Sequence, residues 1–518
     1  MTEPRATELR FNALTDAWLP LIQESGATLW ASPVEVLCGE KDGVDLDYPR
    51  DDFRVYARLL LSTLVQALFP AKTKSELKQR LETPMDRAHM EVRIRPVLAD
   101  FDLFGPTPFL QTTRTEAERA KKGGAAPFVF GEEDLYQPRV RVDAVSIPVA
   151  LLTLFIEQTY AGGAGRGYGA GPGGQPGAFT LVDPGTVRRG AWANTLVLDT
   201  VKLKYAADGE RPWSNAKRAA RPRASIGIVG GLFFQPRSIW LIPAGKGRCS
   251  FTGQDATLVR LSTFQPKSKL TKKPTKGEDT WQHPCAPLAV NSQGIGAIRL
   301  NAERPAWTGL AQLLDPRSKS KARSKHPLEG PAPVLTQWKT LGYKTTRARL
   351  LVLDFDRDKA SVKQRFFEAF PLTIDLLQNP DAVDRLRLLV SDAQRTESAL
   401  VKALTRAHGR SKLGGLALAD ARSSFWAASE RPFLTWLAAT VALDEGNDEW
   451  ERVNREQGEM LKALRGTALS IFDAHAALSE FDPRKQELVA KARRWLHRAL
   501  WPRTTESVAN REAIEVNA

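Results

Sequence analysis

The chain has 518 residues, 42% of them hydrophobic and 26% charged, a balance normal for a folded globular protein. That length exceeds one ordinary core, so roughly two or three domains are expected. A formal net charge of +15 does not help folding; it favours an anionic partner, through counterion release from a phosphate backbone.

Residues 1 to about 50 read as short strands and turns. The segment DDFRVYARLLLSTLVQALFP then reads as a helix, with Asp51 and Asp52 at its positive end and Pro70 marking its stop. IPVALLTLFIEQTY (147–160) is a second apolar helix, running into the glycine stretch GGAGRGYGAGPGGQPG, Gly162 to Gly177. From about 180 to 370 short apolar runs alternate with turns: TLVLD, SIGIVGGLFF, RSIWLIPAG and RARLLVLDFD are predicted strands. Two loops there, PKSKLTKKPTK (266–276) and RSKSKARSK (317–325), hold many bases and no acid. Beyond about 375 the pattern is helical. Trp450, Val453, Met460, Leu461, Leu464, Ile471 and Phe472 share one face, as do Leu488, Ala492, Trp495, Leu496 and Leu500. With VDRLRLLVSDAQRTESALVKALTRA and SSFWAASERPFLTWLAATV these make four amphipathic helices, an antiparallel bundle by default. The fold class predicted is α+β, with domains at 1–372 (mixed α/β) and 373–518 (four-helix bundle).

Three cysteines, Cys38, Cys249 and Cys285, do not make a disulfide scaffold and suit a reducing compartment. No run reaches the roughly 18 apolar residues of a membrane span. The opening MTEPRATELRFNALTDAWLP lacks a basic-then-apolar signal pattern. A cytoplasmic location and no membrane partner are expected.

Chemical motifs are sparse. Gly169 to Gly174 is a literal GxGxxG, but a helix precedes it and Pro172 interrupts it, the reverse of a dinucleotide cradle. No GxxxxGK[ST], HExxH or GxSxG occurs. His475 falls on an apolar helical stripe and reads as a core histidine. His283 and Cys285, with Cys249 upstream, fall short of a closed zinc site. Asp354, Asp356 and Asp358 resemble the start of a calcium loop but lack its glycine and final glutamate; a strand ending in a solvated acidic turn is the simpler reading. No cofactor and no catalysis are expected. A metal-dependent nuclease stays open as an alternative, because catalytic groups are set in space rather than along the chain, and so does a scaffold subunit with no direct DNA contact. Glycine lets a backbone approach a ligand closely, since no Cβ holds it off. Lysines on loops neutralise phosphates without reading bases. Together these describe a clamp on duplex DNA.

The order of motifs carries a resemblance. FNALTDAWLP, YPRDD, PFLQT (108–112), APFVF (126–130), the glycine run, SIGIVGGLFFQPRSIWL (225–241), CSFTGQ, WQHPC, RPAWTGL, LGYKTTRARL and FWAASERPFL follow one another nearly end to end. Each is weak alone; in this order the chain resembles the CasA-type large subunit of the type I-E CRISPR surveillance complex, Cascade. The resemblance implies a non-catalytic subunit of an RNA-guided assembly. Its partners would be guide RNA and the other Cascade subunits, double-stranded target DNA and a separate helicase–nuclease. It would recognise a protospacer-adjacent motif, largely from the minor groove, and help open the duplex.

Three elements carry motif contacts in that family. The glycine loop corresponds to Gly163–Tyr168, with Gly165, Arg166 and Gly167 nearest the DNA; Arg166 departs from a purer glycine pattern. The lysine loop corresponds to Lys267 and Lys269, with Lys272 and Lys273 as substitutes. The wedge hairpin corresponds to LGYKTTRARL, its tip being Thr345, Thr346, Arg347 and Ala348, after Lys344. Arg347 replaces an amide; its planar guanidinium can stack on an exposed base or bond a phosphate. The minor groove presents a degenerate code, so a relaxed motif preference is expected. An ordinary basic turn over Lys344–Arg349 is the other reading. Residues 113–128 correspond to a loop toward the guide RNA, where Phe128 would stack on a base or anchor the loop. In the bundle, Arg493, Arg494, His497 and Arg498 lie off the apolar stripe, as a strand-guiding face or a solvated one.

Overall fold

The computed structural model describes residues 9–112, 142, 144–160, 171–172, 177–213, 225–264, 281–291, 294–301, 303–316, 329–343, 348–358, 361–372, 380–408, 415–441, 447–476 and 483–501. The chain divides into two compact units, Met1–Leu300 with Gln312–Ile374, and Asn301–Ala311 with Asp375–Ala518.

In the first unit, helix Asp51–Leu68 is buried along nearly its whole length, with Asp51 and Asp52 in its first turn and Phe69 as its C-cap before Pro70. Helix Ile147–Thr159 is apolar on every side and equally enclosed. Its only acid, Glu157, is fully buried. Small antiparallel sheets surround these helices. Leu19–Ile22 lies between Thr28–Ala31 and Asp45–Leu46. Asp255–Phe264 lies between Val145–Ser146 and Ser238–Arg248. Arg349–Asp358 lies between Ser361–Pro371 and Phe179–Asp183. Leu288–Asn291 pairs with Gly294–Ala297.

Two predicted strands are not strands. In TLVLD, residues 195–197 lead into helix Leu198–Lys204. The Leu196 N–H donates to Gln66 Oε1 (2.6 Å) and the Val197 N–H to Gln337 Oε1 (2.9 Å), so side-chain amides take the donors a ladder would have used. In SIGIVGGLFF, Ile228–Leu232 is a short helix whose Val229 and Gly230 N–H groups donate to the Asp208 carboxylate at 2.9 and 2.8 Å. RSIWLIPAG and RARLLVLDFD are strands as expected. Of the acidic run, Asp354 departs from the expected solvated turn: it lies within strand Arg349–Asp358 and is buried, accepting from the Leu300 N–H at 2.6 Å.

In the second unit four long helices follow one another among the described residues: Pro380–His408, Gly415–Val441, Asn447–Ala476 and Pro483–Leu500. The first packs against all three others and the third against the second and fourth, as in a bundle of helices reversing at each short connection. Val453, Met460, Leu464, Phe472, Ala492, Leu496 and Leu500 are buried, whereas Leu488 stays exposed. The preceding segment supplies Trp307, fully buried, stacked on Phe433 (4.4 Å between centroids) and edge-on to Trp426 (5.8 Å). His475 is not sealed in the core: it is half-buried, 3.5 Å from the Asp420 carboxylate.

Candidate nucleic-acid interface

Of the residues singled out by sequence, Phe128, Gly163, Gly165, Arg166, Gly167, Tyr168, Lys267, Lys269, Lys272, Lys273, Lys344, Thr345, Thr346 and Arg347 lie outside the described residues. The roots of their segments are described, and they define the candidate interface.

Tyr160 ends the apolar helix just before the glycine run. It is enclosed by Tyr56, Phe155 and Phe179, with ring centroids 4.8, 5.2 and 5.1 Å away, and its hydroxyl lies 3.0 Å from His283 Nε2. His283 Nδ1 accepts the Cys285 N–H at 3.0 Å, which leaves Nε2 to carry the ring proton and donate to Tyr160. Burial lowers the imidazole from its ordinary value of 6.5 to about 3, so the ring is neutral. At the far end of the run, Gly177 presses on the main chain just after strand Gly294–Ala297: a Cβ there would sit 2.2 Å from the Ile298 carbonyl oxygen. Trp281, the first described residue after the lysine stretch, donates from Nε1 to the Gly227 carbonyl (3.3 Å) and lies across Gly231. Tyr160, Pro172, Gly177, Trp281 and His283 line a single cavity of about 40 Å³. The glycine run and the end of the lysine stretch therefore share one root.

The lysine stretch begins after Phe264, which pairs with Ser238, and the neighbouring Thr263 pairs with Ile239. The Thr112 N–H donates to that same Ile239 carbonyl at 2.8 Å, so the segment carrying Phe128 starts beside the lysine stretch. Buried polar groups fix this junction. Gln158, fully buried, donates from Nε2 to the Leu110 and Arg237 carbonyls, both at 2.9 Å, and accepts the Arg237 N–H at 3.1 Å. Gln111 donates to the Leu103 carbonyl (2.9 Å) and accepts the Leu241 N–H (2.8 Å). Arg237 pairs with the buried Glu157 carboxylate. The sequence reading missed this set. The signal available was a Glu-Gln pair ending an otherwise apolar helix, where polar residues need buried partners.

LGYKTTRARL is not a hairpin in its described parts. Its start closes helix Pro333–Leu341, with Gly342 as a left-handed C-cap (φ 63°), and its end opens strand Arg349–Asp358. A helix and a strand flank 344–347, in place of two paired strands. Ala348 is no exposed tip: it is 6% exposed, and its carbonyl accepts the Leu372 N–H at 2.9 Å. Arg349 donates from Nε to the buried Asp183 carboxylate at 3.1 Å, and Asp183 also lies 3.7 Å from Arg58. Arg349 faces Asp183 while Leu353 faces Phe179. The root of 344–347 is thus at one end of this strand pair and that of the glycine run near the other, about 14 Å apart.

Cys249 Sγ accepts the Ser146 and Thr252 N–H groups at 3.3 and 3.4 Å; burial opposes its ionisation, and these donors bring the thiol below its ordinary value. Burial pushes the Cys285 thiol well up. Among the described residues no group of three or more His, Cys, Asp or Glu side chains could hold a metal ion, and no helix is long and apolar enough to cross a membrane. On the bundle, Arg493 is committed to Asp473 through two bonds of 2.7 and 2.8 Å, and His497 stacks on Trp501 at 4.8 Å. Arg494 and Arg498 remain exposed.

Residues 12–471 match the family model for CRISPR-associated protein Cse1. Among solved structures the chain is similar to Cse1 of Thermobifida fusca, at 18% identity and a TM-score of 0.71, covering 95% of this chain and 98% of that one. It is similar to CasA (Cse1) of Thermus thermophilus, at 18% identity and a TM-score of 0.69, covering 95% and 99%. A chain of a CRISPR RNA-guided surveillance complex matches at 18% identity and a TM-score of 0.68, covering 94% and 99%.

Proposed function

The chain belongs to the Cse1 family of CRISPR-associated proteins, and from that premise we propose that it is the large subunit of a type I-E Cascade that recognises the protospacer-adjacent motif on duplex DNA. In this reading the glycine run, through Gly163, Gly165, Arg166, Gly167 and Tyr168, lies along the minor groove. Lys267 and Lys269, with Lys272 and Lys273, neutralise phosphates. Lys344, Thr345, Thr346 and Arg347 enter the opening duplex, with Arg347 stacking on the exposed base. Phe128 meets the guide RNA or a neighbouring subunit. Cutting falls to a separate helicase–nuclease recruited to the complex, and the chain itself performs no chemistry. The observation that carries the reading is the shared root: segments far apart in sequence, one glycine-rich and one lysine-rich, spring from Tyr160, Gly177 and Trp281 around one cavity. A bare main chain beside clustered cations suits a duplex backbone, and the net charge of +15 supplies the long-range attraction.

The test is motif-dependent duplex capture by the assembled complex. Lys267→Glu, Lys269→Glu and Arg347→Glu together are expected to weaken capture of a motif-bearing duplex; normal capture refutes the site assignment. A complex lacking this subunit that still prefers the motif refutes the function. DNA cutting by the purified chain with Mg²⁺ or Mn²⁺, abolished by a single Asp or Glu change, favours the nuclease alternative. Assembly with no crosslink to DNA favours a scaffold.

A further inference from the structure

Leu110 has φ +58°, in the left-handed region that a bulky side chain rarely adopts. It is 1% exposed, three residues before Thr113, where the segment that carries Phe128 starts. Such a conformation persists only where the surroundings over-determine it. The surroundings here are specific. The Leu110 carbonyl accepts from Gln158 Nε2 at 2.9 Å, and the next residue, Gln111, is bound on both sides of its amide. The same Gln158 amide holds both the N–H and the C=O of Arg237, at the entrance to the strand that pairs with Asp255–Phe264, the strand leading into the lysine stretch. Gln158 itself stands four residues before Gly162, where the glycine run starts, on the last turn of a buried helix.

One side chain thus bridges the origins of three segments. It fixes a residue in a conformation that a leucine rarely adopts, so what disturbs the Gln158 amide at one segment is felt at the others. We propose that Gln158 is a positioning residue that holds Leu110 in its left-handed conformation and so couples the segment beyond Thr112 to the glycine run beyond Tyr160. Resting on the functional reading above, this makes engagement of the guide-RNA side and of the duplex side mutually reinforcing. Engagement of one braces the root of the other, and by linkage the effect is reciprocal.

The experiment places Gln158→Met in the full chain, within the assembled complex. Methionine keeps the length and removes both donors and the acceptor. Binding to a motif-bearing duplex and to a scrambled duplex is measured alongside retention of guide RNA. The ratio of the two affinities is expected to fall about tenfold, within the range of ordinary coupling, with the subunit and guide RNA retained. A purely structural role would weaken both duplexes equally, and an unchanged ratio overturns the proposal. Hydrogen exchange on the wild-type complex is the second measurement and needs no variant. The motif-bearing duplex should slow exchange at the Thr112 and Arg237 amides, while the scrambled duplex should not; unchanged rates with both overturn the proposal. A wild-type complex with no motif preference at all refutes the functional reading itself, and the coupling falls with it.

Discussion

Gly177→Ala tests why one glycine stands where it does. The added Cβ would meet the Ile298 carbonyl oxygen at 2.2 Å and Ala297 Cβ at 2.8 Å. Ordinary contact requires a retreat of about 1 Å or more from main chain that cannot rotate away. Overpacking of this kind costs about 1–3 kcal/mol. The same retreat stretches the bond from the Ala178 N–H to the Ile298 carbonyl, now 2.8 Å, worth about 1 kcal/mol more. Urea unfolding of the purified subunit should therefore show a loss of about 2–4 kcal/mol with an unchanged slope. Gly209→Ala is the control, because nothing lies within 4 Å of a Cβ there. It should stay within about 0.5 kcal/mol of wild type. Equal stability of the two variants would refute the claim that close main-chain approach demands Gly177.

Trp307→Ala removes a buried ring stacked on Phe433, and should destabilise the C-terminal helices by about 3–5 kcal/mol; limited proteolysis that leaves those helices as resistant as in wild type would detach residues 301–311 from that unit. Glu157→Gln keeps the side-chain shape but takes the charged partner from Arg237. A loss of about 3–5 kcal/mol by urea denaturation is expected, with much of it recovered in Glu157→Gln/Arg237→Met; a single variant as stable as wild type would refute the pair's role. His283 binds its proton in the unfolded chain near pH 6.5 but in the folded chain only near 3. The unfolded state therefore holds more protons between those values, and this residue withdraws stability as pH falls through that window, by about 1.4 kcal/mol per pH unit. His283→Gln should flatten that part of the stability–pH curve, and an unchanged slope would contradict a buried neutral ring.

Much of the helical architecture was legible because its signals are local. Asp51, Asp52 and Pro70 bracket one helix, and the spacing of Val453, Met460, Leu464 and Phe472 marks the buried face of another. The errors arose where a distant residue decided. SIGIVGGLFF satisfies strand composition, but Asp208 captures its N–H groups and Trp281 lies on Gly231, so it turns into a helix. TLVLD loses its ladder to Gln66 and Gln337. Asp354 is drawn inward by the Leu300 N–H. The expected hairpin came from resemblance, whereas the spacing of Val334, Leu335, Trp338 and Leu341 already carried the helix before it. At the site, the glycines and lysines stood out by composition alone. Gln158, Gln111 and Arg237 did not, because their role exists only once Leu110, the apolar helix and the Ser238–Arg248 strand are brought together.

The most direct measurement is photo-crosslinking of the assembled complex to target DNA, from a crosslinking side chain placed at Tyr168 and, separately, at Lys269. Both positions should capture the motif-bearing duplex at the motif and give little product with a scrambled one. Complexes that bind and open the target normally, yet yield no crosslink from either position, would contradict the placement of these segments against the double helix.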